Sequence, residues 1–283
     1  HRNNLKITWK LIGTLKNRKQ KGQLHHPLRL INNGLEFSSE YDIANQFNQH
    51  FINVGPNLAN TITNTDENPT NYISNSPISS FVITETQVLN LFLTLDSTKA
   101  SLDIPNSMIK KIAPIISPVF TSIYNKSINM GIVPDILKIS RVTPVYKSGT
   151  ITNPNNYRPI SVLSAFSKIL EKIIYNQLEL FLVKNGILFE YQFGFRKGYS
   201  TEQAILEITD TLKTTIDKKE ITCGLFRDFS KAFDTVNHQI LLSKLNKYGI
   251  RGTQLNWFKS YLMNRKQYVR IGNSDSEMLT MTC

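Results

Sequence analysis

A short apolar run, Thr222 to Phe226, delivers a single carboxylate, Asp228, and leads into an amphipathic stretch; nothing else in the chain constrains its fold as much. The run has the length and composition of a strand. Asp234 or Thr235 is the expected N-cap of the following helix, which carries Val236, Ile240, Leu241 and Leu245 on one face. A carboxylate at a strand end, clear of the core, is well placed to hold Mg²⁺ against a phosphate. A lone Asp is also a common turn former, so the surrounding pattern has to decide between the two.

That pattern is rich in helices. Leu5, Trp9, Ile12 and Leu15 recur at helical spacing and predict a helix over residues 4–17 with a basic outer face. Residues 39–53 predict a second, with Ile43, Phe47, Phe51 and Ile52 inward. Asn, Thr, Ser and Pro dominate 63–80, which reads as a linker. Thr84 and Gln87 form a capping box ahead of Val88, Leu91, Phe92 and Leu95. Pro114 suits the first turn of a helix that runs to Met130 and stops near Gly131. Arg141 to Tyr146 reads as a strand. Ser164 opens a long helix with Ile169, Leu170, Ile173, Ile174, Leu178, Phe181 and Leu182 on its apolar face, closed by Asn185-Gly186. Ser200 and Gln203 make a second capping box before Ala204, Ile205, Ile208 and Leu212. A further helix is expected over 253–264. A hairpin should follow, with Gln267 to Ile271 and Met278 to Thr282 joined by a turn at Gly272 to Asp275. Helices outnumber strands and the two do not alternate regularly, so the class is α+β. The expected division is a basic helical extension at 1–62, a linker at 63–80 and the main unit at 81–283.

The formal charge of the 283 residues is +12, which favours a polyanionic partner. Eight Lys or Arg residues and no acid precede Glu36, and Lys16, Arg18, Lys19 and Lys21 crowd together. Such a run steers a chain onto phosphates, or serves as a tail or a nuclear address. The two cysteines, Cys223 and Cys283, form no Cys-x-x-Cys pair and hence no zinc knuckle. Cys223 should pack in its strand as a small hydrophobe, and a reducing intracellular location, nuclear or cytoplasmic, is expected. No apolar run approaches a membrane span. None of the five histidines, the adjacent His25 and His26 included, sits in a recognisable metal or triad pattern.

Two further stretches carry chemistry. From Arg141 to Leu178 a basic strand, a polar loop and a return segment precede the long helix, and Lys147 and Arg158 flank the loop. Two cations on a flexible hairpin could close over a triphosphate, Arg as a bidentate fork and Lys as a point charge. The alternative is two ordinary surface cations. Tyr191 to Ile205 sets two Phe, two Tyr, Arg196 and Lys197 ahead of a capped helix. Aromatic rings beside cations suit the bases and phosphates of a template. The alternative makes Phe193 and Phe195 core residues.

Three of these segments resemble reverse transcriptases of non-LTR retrotransposons of the jockey type. The motif Phe226, Asp228, Ser230, Lys231, Ala232, Phe233, Asp234 is similar to their first catalytic motif, Tyr157 to Ser161 to their Tyr-Arg-Pro-Ile-Ser segment, and Gly194 to Arg196 to a Gly-Phe-Arg segment on their template path. The resemblance implies a partial right-hand polymerase, with fingers and an incomplete palm, behind an N-terminal helical extension. It implies RNA-templated DNA synthesis with an RNA template, a DNA primer and dNTP. Asp228 and the carbonyl of Phe229 would bind Mg²⁺, Lys147 and Arg158 the incoming nucleotide, and Arg196 with Lys197 the template. The ring of Phe233 would lie under the sugar and exclude a 2′-hydroxyl by clash. Asp234, as N-cap, is not expected to be a metal ligand. Phe47 to Ala59 and Leu95 to Lys111 resemble other jockey-type segments, although Ser101 stands where relatives have glycine and the glycine after Asp103 is missing. Arg227 departs too, and on an alternating strand it should face away from Asp228. The two further catalytic carboxylates of relatives lie in a later Tyr-Ala-Asp-Asp segment that these residues do not contain, so the chain alone is expected to be inactive. A non-catalytic RNA-binding protein on the same scaffold, or the product of a decayed element, are the alternatives.

Overall fold

A computed structural model describes residues 27–59, apart from 28 and 33, and 77–281, apart from 79 and 230. The expected helix at 4–17, the basic run before it ends at Lys21, His25, His26, most of the linker and Cys283 lie outside the described residues.

The first described element is a hairpin, β1 (Leu30–Asn32) and β2 (Leu35–Phe37), with Asn32 opposite Leu35. Its sequence signal is the Asn33-Gly34 dipeptide, the strongest short hairpin pattern, and Gly34 sits at φ 79°. Helix α1 (Glu40–Ala59) extends beyond the expected 39–53 and contains Pro56. Helix α2 (Glu85–Leu93) begins with the Thr84–Gln87 capping box. Helix α3 (Asn106–Met130) ends at Gly131, which is left-handed as expected. Its start is a correction: Pro114 lies inside the helix, as does Pro118. Both prolines are on the exposed face, where the carbonyls released by the missing N–H groups can reach water.

Strand β3 (Ile139–Tyr146) pairs antiparallel with β4 (Tyr157–Leu163). Helix α4 (Ala165–Lys184) starts at Ser164, whose hydroxyl accepts from Phe166 N and donates to Asp103 Oδ2 at 2.5 Å. Ser101 contributes to the same helix start, its hydroxyl accepting from Ala165 N at 3.1 Å. Its backbone is not left-handed, so the serine strains nothing at that position. Helix α5 (Thr201–Asp217) carries the second capping box but buries none of its side chains. Helices α6 (His238–Lys247) and α7 (Gly252–Leu262) precede β5 (Lys266–Ile271), β6 (Ser274–Asp275) and β7 (Leu279–Thr280).

The larger sheet runs β4–β3–β5, with β3 and β5 parallel and β6 and β7 antiparallel to β5. The register slips by one residue between the β5–β6 pairing (Arg270 opposite Asp275) and the β5–β7 pairing (Gln267 opposite Leu279). Ser276 fills that bulge: its N–H donates to Val269 O and its hydroxyl accepts from Val269 N, both at 2.9 Å. Helices α2, α3, α4 and α7 enclose the main core around Phe92, Tyr124, Ile169 and Trp257. A second core joins α1 to the sheet through Ile43, Ala44, Phe47, Val142, Tyr157, Val269 and Ile271. Among the described residues no helix is long and apolar enough to cross a membrane.

The segment 220–229 is the largest departure from expectation. It forms no strand, and Cys223, Leu225 and Phe226 are exposed rather than packed. A strand needs a neighbour for its N–H and C=O groups; β3 is already flanked by β4 and β5, and no described strand runs beside this segment. The expected cap also moves. Asn237, not Asp234 or Thr235, caps the following helix, accepting from Gln239 N and Ile240 N.

Candidate functional site

The β3–β4 hairpin determines where its cations point. Val145 lies opposite Arg158 and Tyr146 opposite Tyr157, while Lys147 N donates to Asn156 O at 2.8 Å. Side chains alternate along a strand, so Lys147 and Arg158 are diagonal neighbours on one face, and Tyr146 and Tyr157 occupy the other. On the tyrosine face Tyr157 is buried and meets Phe47 edge-on at 4.8 Å, while Tyr146 at the strand end stays partly exposed. The cationic face is open, with Lys147 and Arg158 both exposed.

The loop between the strands is braced rather than flexible. Tyr157 OH donates to Ile151 O at 2.7 Å, Asn156 Nδ2 to Thr150 O at 2.8 Å, and Tyr146 OH to Gly149 O at 2.5 Å. Gly149 has φ 94°, and a Cβ there would run into the Asn156 amide. Ile31 N also donates to Thr152 O at 2.8 Å, tying the loop to β1.

Opposite the hairpin stands the turn that follows Asp228. Lys231 is left-handed at φ 52°, and its carbonyl accepts from Asp234 N at 2.9 Å and Thr235 N at 3.2 Å. Between turn and hairpin lies a groove of about 730 Å³, lined by Lys147, Arg158, Asp228, Phe229, Lys231, Phe233 and Asp234, among others. Three cations and two carboxylates therefore face one space. Asp234, expected to cap a helix, lines the groove instead. Arg227 does not line it, although the strand that was to turn it away is absent. Phe233 is 74 % exposed, so it is not a core residue.

Arg196 and Lys197 are not among the groove-lining residues. Arg196 stacks on the Tyr199 ring at 4.2 Å and donates from Nη1 to Phe189 O, and Lys197 N donates to Glu179 Oε1. Their loop still reaches the groove's edge, because the Phe195 ring meets the Phe233 ring edge-on at 5.5 Å. Phe195 is 87 % exposed with φ 59°, not a core residue. Helix α1 contributes two residues from the Phe47 to Ala59 segment to which the sequence assigned no role. Gly55 packs against the backbone of Asp234, and the half-buried His50 lies close enough to Lys231 to feel its charge. Burial first, and the Lys231 charge second, hold the His50 pKa below its ordinary value.

The donors available to a divalent ion are the Asp228 and Asp234 carboxylates and the local backbone carbonyls. Among the described residues, no cluster of three or more His, Cys, Asp or Glu side chains surrounds such a position. That set fits an ion shared with phosphate oxygens, as Mg²⁺ is commonly bound, and not an all-protein cage.

Residues 145–281 match the family described as reverse transcriptase (RNA-dependent DNA polymerase). Over 161 residues the chain is 36% identical to the probable RNA-directed DNA polymerase from transposon BS of Drosophila melanogaster, covering 54% of this chain and 17% of that protein. It is 31% identical over 126 residues to the RNA-directed DNA polymerase from mobile element jockey of the same fly, covering 44% of this chain and 14% of the relative. It is 28% identical over 146 residues to the Pol polyprotein from type-1 retrotransposable element R2 of Popillia japonica, covering 50% and 19%. The matched part thus spans less than a fifth of each of these relatives. The matched region starts at the second half of β3 and takes in the hairpin cations, the groove and the sheet beyond it, and over these residues the chain is similar to the reverse transcriptases of non-LTR retrotransposons.

Proposed function

We propose that this chain forms the nucleotide-binding part, fingers and first part of the palm, of a polymerase that copies an RNA template into DNA. In the complete protein a primer 3′-hydroxyl attacks the α-phosphate of a dNTP and pyrophosphate leaves. Lys147 and Arg158 neutralise the triphosphate, with Arg158 as a planar fork and Lys147 as a point charge. The Asp228 carboxylate, with the Phe229 carbonyl beside it, would hold Mg²⁺. When bound, the ion offsets phosphate charge and orients the reacting oxygens. Phe233 lies under the sugar and rejects a 2′-hydroxyl by its bulk. Arg196 and Lys197 follow the template, one edge of the groove away.

The observation that carries this reading is the shared groove: residues 147 and 158 on one wall and 228, 229 and 233 on the other, far apart in sequence, face one space large enough for a nucleotide. Two-metal transfer needs more carboxylates than the described residues gather at this place. These 283 residues are therefore expected to bind nucleotide without extending a primer. The test is binding of a dNTP to the purified chain, with Mg²⁺ and with EDTA. Lys147→Ala and Arg158→Ala should each weaken both forms about tenfold, and Asp228→Asn should abolish only the gain from Mg²⁺. Binding of RNA that is salt-dependent, with no measurable dNTP binding at all, would instead identify a non-catalytic RNA-binding protein. Primer extension by the chain alone would refute the assignment of incomplete chemistry.

A further inference from the structure

Two walls of the groove come from segments about seventy residues apart, and one helix touches both of them. Phe47 of α1 packs on Tyr157, the residue before Arg158. Gly55 of α1 is buried against the carbonyl of Asp234, six residues after Asp228. Residues 47 and 55 are eight apart, so they share a helix face and lie roughly 12 Å apart along the axis. His50 lies between them on the helix, near enough to Lys231 to feel its charge.

Gly55 has no conformational reason to be glycine. It is not left-handed, and it lies inside a helix, where glycine costs about 1 kcal/mol relative to alanine. Its neighbour Pro56 is still less favourable there. What the position does require is space. A Cβ on Gly55 would overlap the Asp234 carbonyl oxygen outright and lie 3.1 Å from its carbonyl carbon. These are rigid backbone atoms, not the far end of a flexible side chain.

We propose that α1 is the spacer of the groove and that Gly55 is a positioning residue: its lack of a side chain lets the Asp228–Asp234 segment seat against α1, at the distance from Lys147 and Arg158 that lets one ion and one triphosphate bridge both walls. This rests on the nucleotide reading of the groove. An alanine at 55 pushes the turn away from α1 by roughly 1 Å, the scale of misplacement that costs about a hundredfold in a preorganised site. The hairpin, held by Phe47 two helical turns away, stays where it is.

The test uses the whole chain with Gly55→Ala, and Asn53→Ala on the exposed side of α1 as the control. The first readout is amide hydrogen exchange at Asp234 and Thr235, whose N–H groups bond Lys231 O; it needs no ligand. The second is dATP affinity with Mg²⁺ and with EDTA. The expected result for Gly55→Ala is faster exchange at those two amides, unchanged protection in α1 and β5, a loss of at least tenfold in the Mg²⁺-dependent gain in affinity, and metal-free affinity within about twofold of wild type. Combining it with Asp228→Asn should cost nothing further. Unchanged exchange at 234 and 235 overturns the proposal. So does equal loss of both binding modes with protection lost across α1 and β5, which is a folding defect. If the wild-type chain shows no Mg²⁺-dependent gain, the nucleotide reading fails, and the exchange result still decides whether Gly55 seats the turn.

Discussion

Replacing Asn48 by alanine should weaken the whole sheet end of the molecule, by an amount that can be worked out from its partners. Asn48 is fully buried on α1. Its Nδ2 donates to Glu277 O at 2.8 Å and to Ser276 Oγ at 3.0 Å, and its Oδ1 accepts from Gln267 Nε2 at 3.0 Å. Alanine removes all three bonds and takes from the buried Gln267 Nε2 its acceptor, while Glu277 O keeps the Ser276 hydroxyl as a donor at 2.8 Å. At about 1 kcal/mol for each bond, the cost is about 3 kcal/mol before any term for the small void. For a domain of this size that lowers Tm by roughly 6–12 °C. Urea unfolding of the full chain should show a lower midpoint with an unchanged slope, since the surface exposed on unfolding is the same. The exposed control Asn53→Ala should stay within about 0.5 kcal/mol of wild type. A loss below about 1 kcal/mol for Asn48→Ala would refute the reasoning, because it would mean that water already serves these groups.

Ser164→Ala removes the cap of α4 and the partner of the Asp103 carboxylate, and should cost about 1–2 kcal/mol in the same assay, with Ser164→Thr recovering most of it. Trp257→Phe keeps an aromatic ring in the main core but takes the indole donor from Ser127 Oγ, and should cost about 1–3 kcal/mol with no change in nucleotide binding. The pKa values of His50 and His238 are both held down, by burial first and then by Lys231 and Arg265 respectively. The unfolded chain therefore takes up protons near pH 6.5 while these groups stay neutral in the native state. Their contribution to stability is complete above that pH and falls as the pH drops through it toward the lowered native values. Melting curves across that range should show the decline, and His50→Gln should make it shallower; an unchanged slope would count against the burial of His50.

Much of the architecture was legible from local chemistry. The capping boxes at Thr84 and Ser200, the Ser164 cap and the Gly131 stop all stand where short-range hydrogen bonding required them. The groove-lining residues were singled out for a different reason: Arg158, Asp228 and Phe233 sit in motifs whose resemblance to reverse transcriptases covers several positions at once, and Lys147 flanks the same loop as Arg158. Where expectation failed, the deciding partner was distant. The apolar run 222–226 has strand composition but no described neighbour to bond with, so it forms no strand and stays exposed. Pro114 could be accommodated within a helix because its face turned out to be solvent-facing.

What the sequence determined by itself is therefore, among the described residues, most of the helices, several of their ends and the identity of the chemical groups, all governed by contacts within a few residues. Only the tertiary structure decided that the face of α1 bearing Phe47 and Gly55 would lie under both walls of the groove. Nothing local to Gly55 favours a glycine in that helix; the reason is a backbone carbonyl almost 180 residues away. Close approach between distant segments leaves no periodic trace in a chain, because it is set by the packing of whole elements and not by the preferences of the residues that meet.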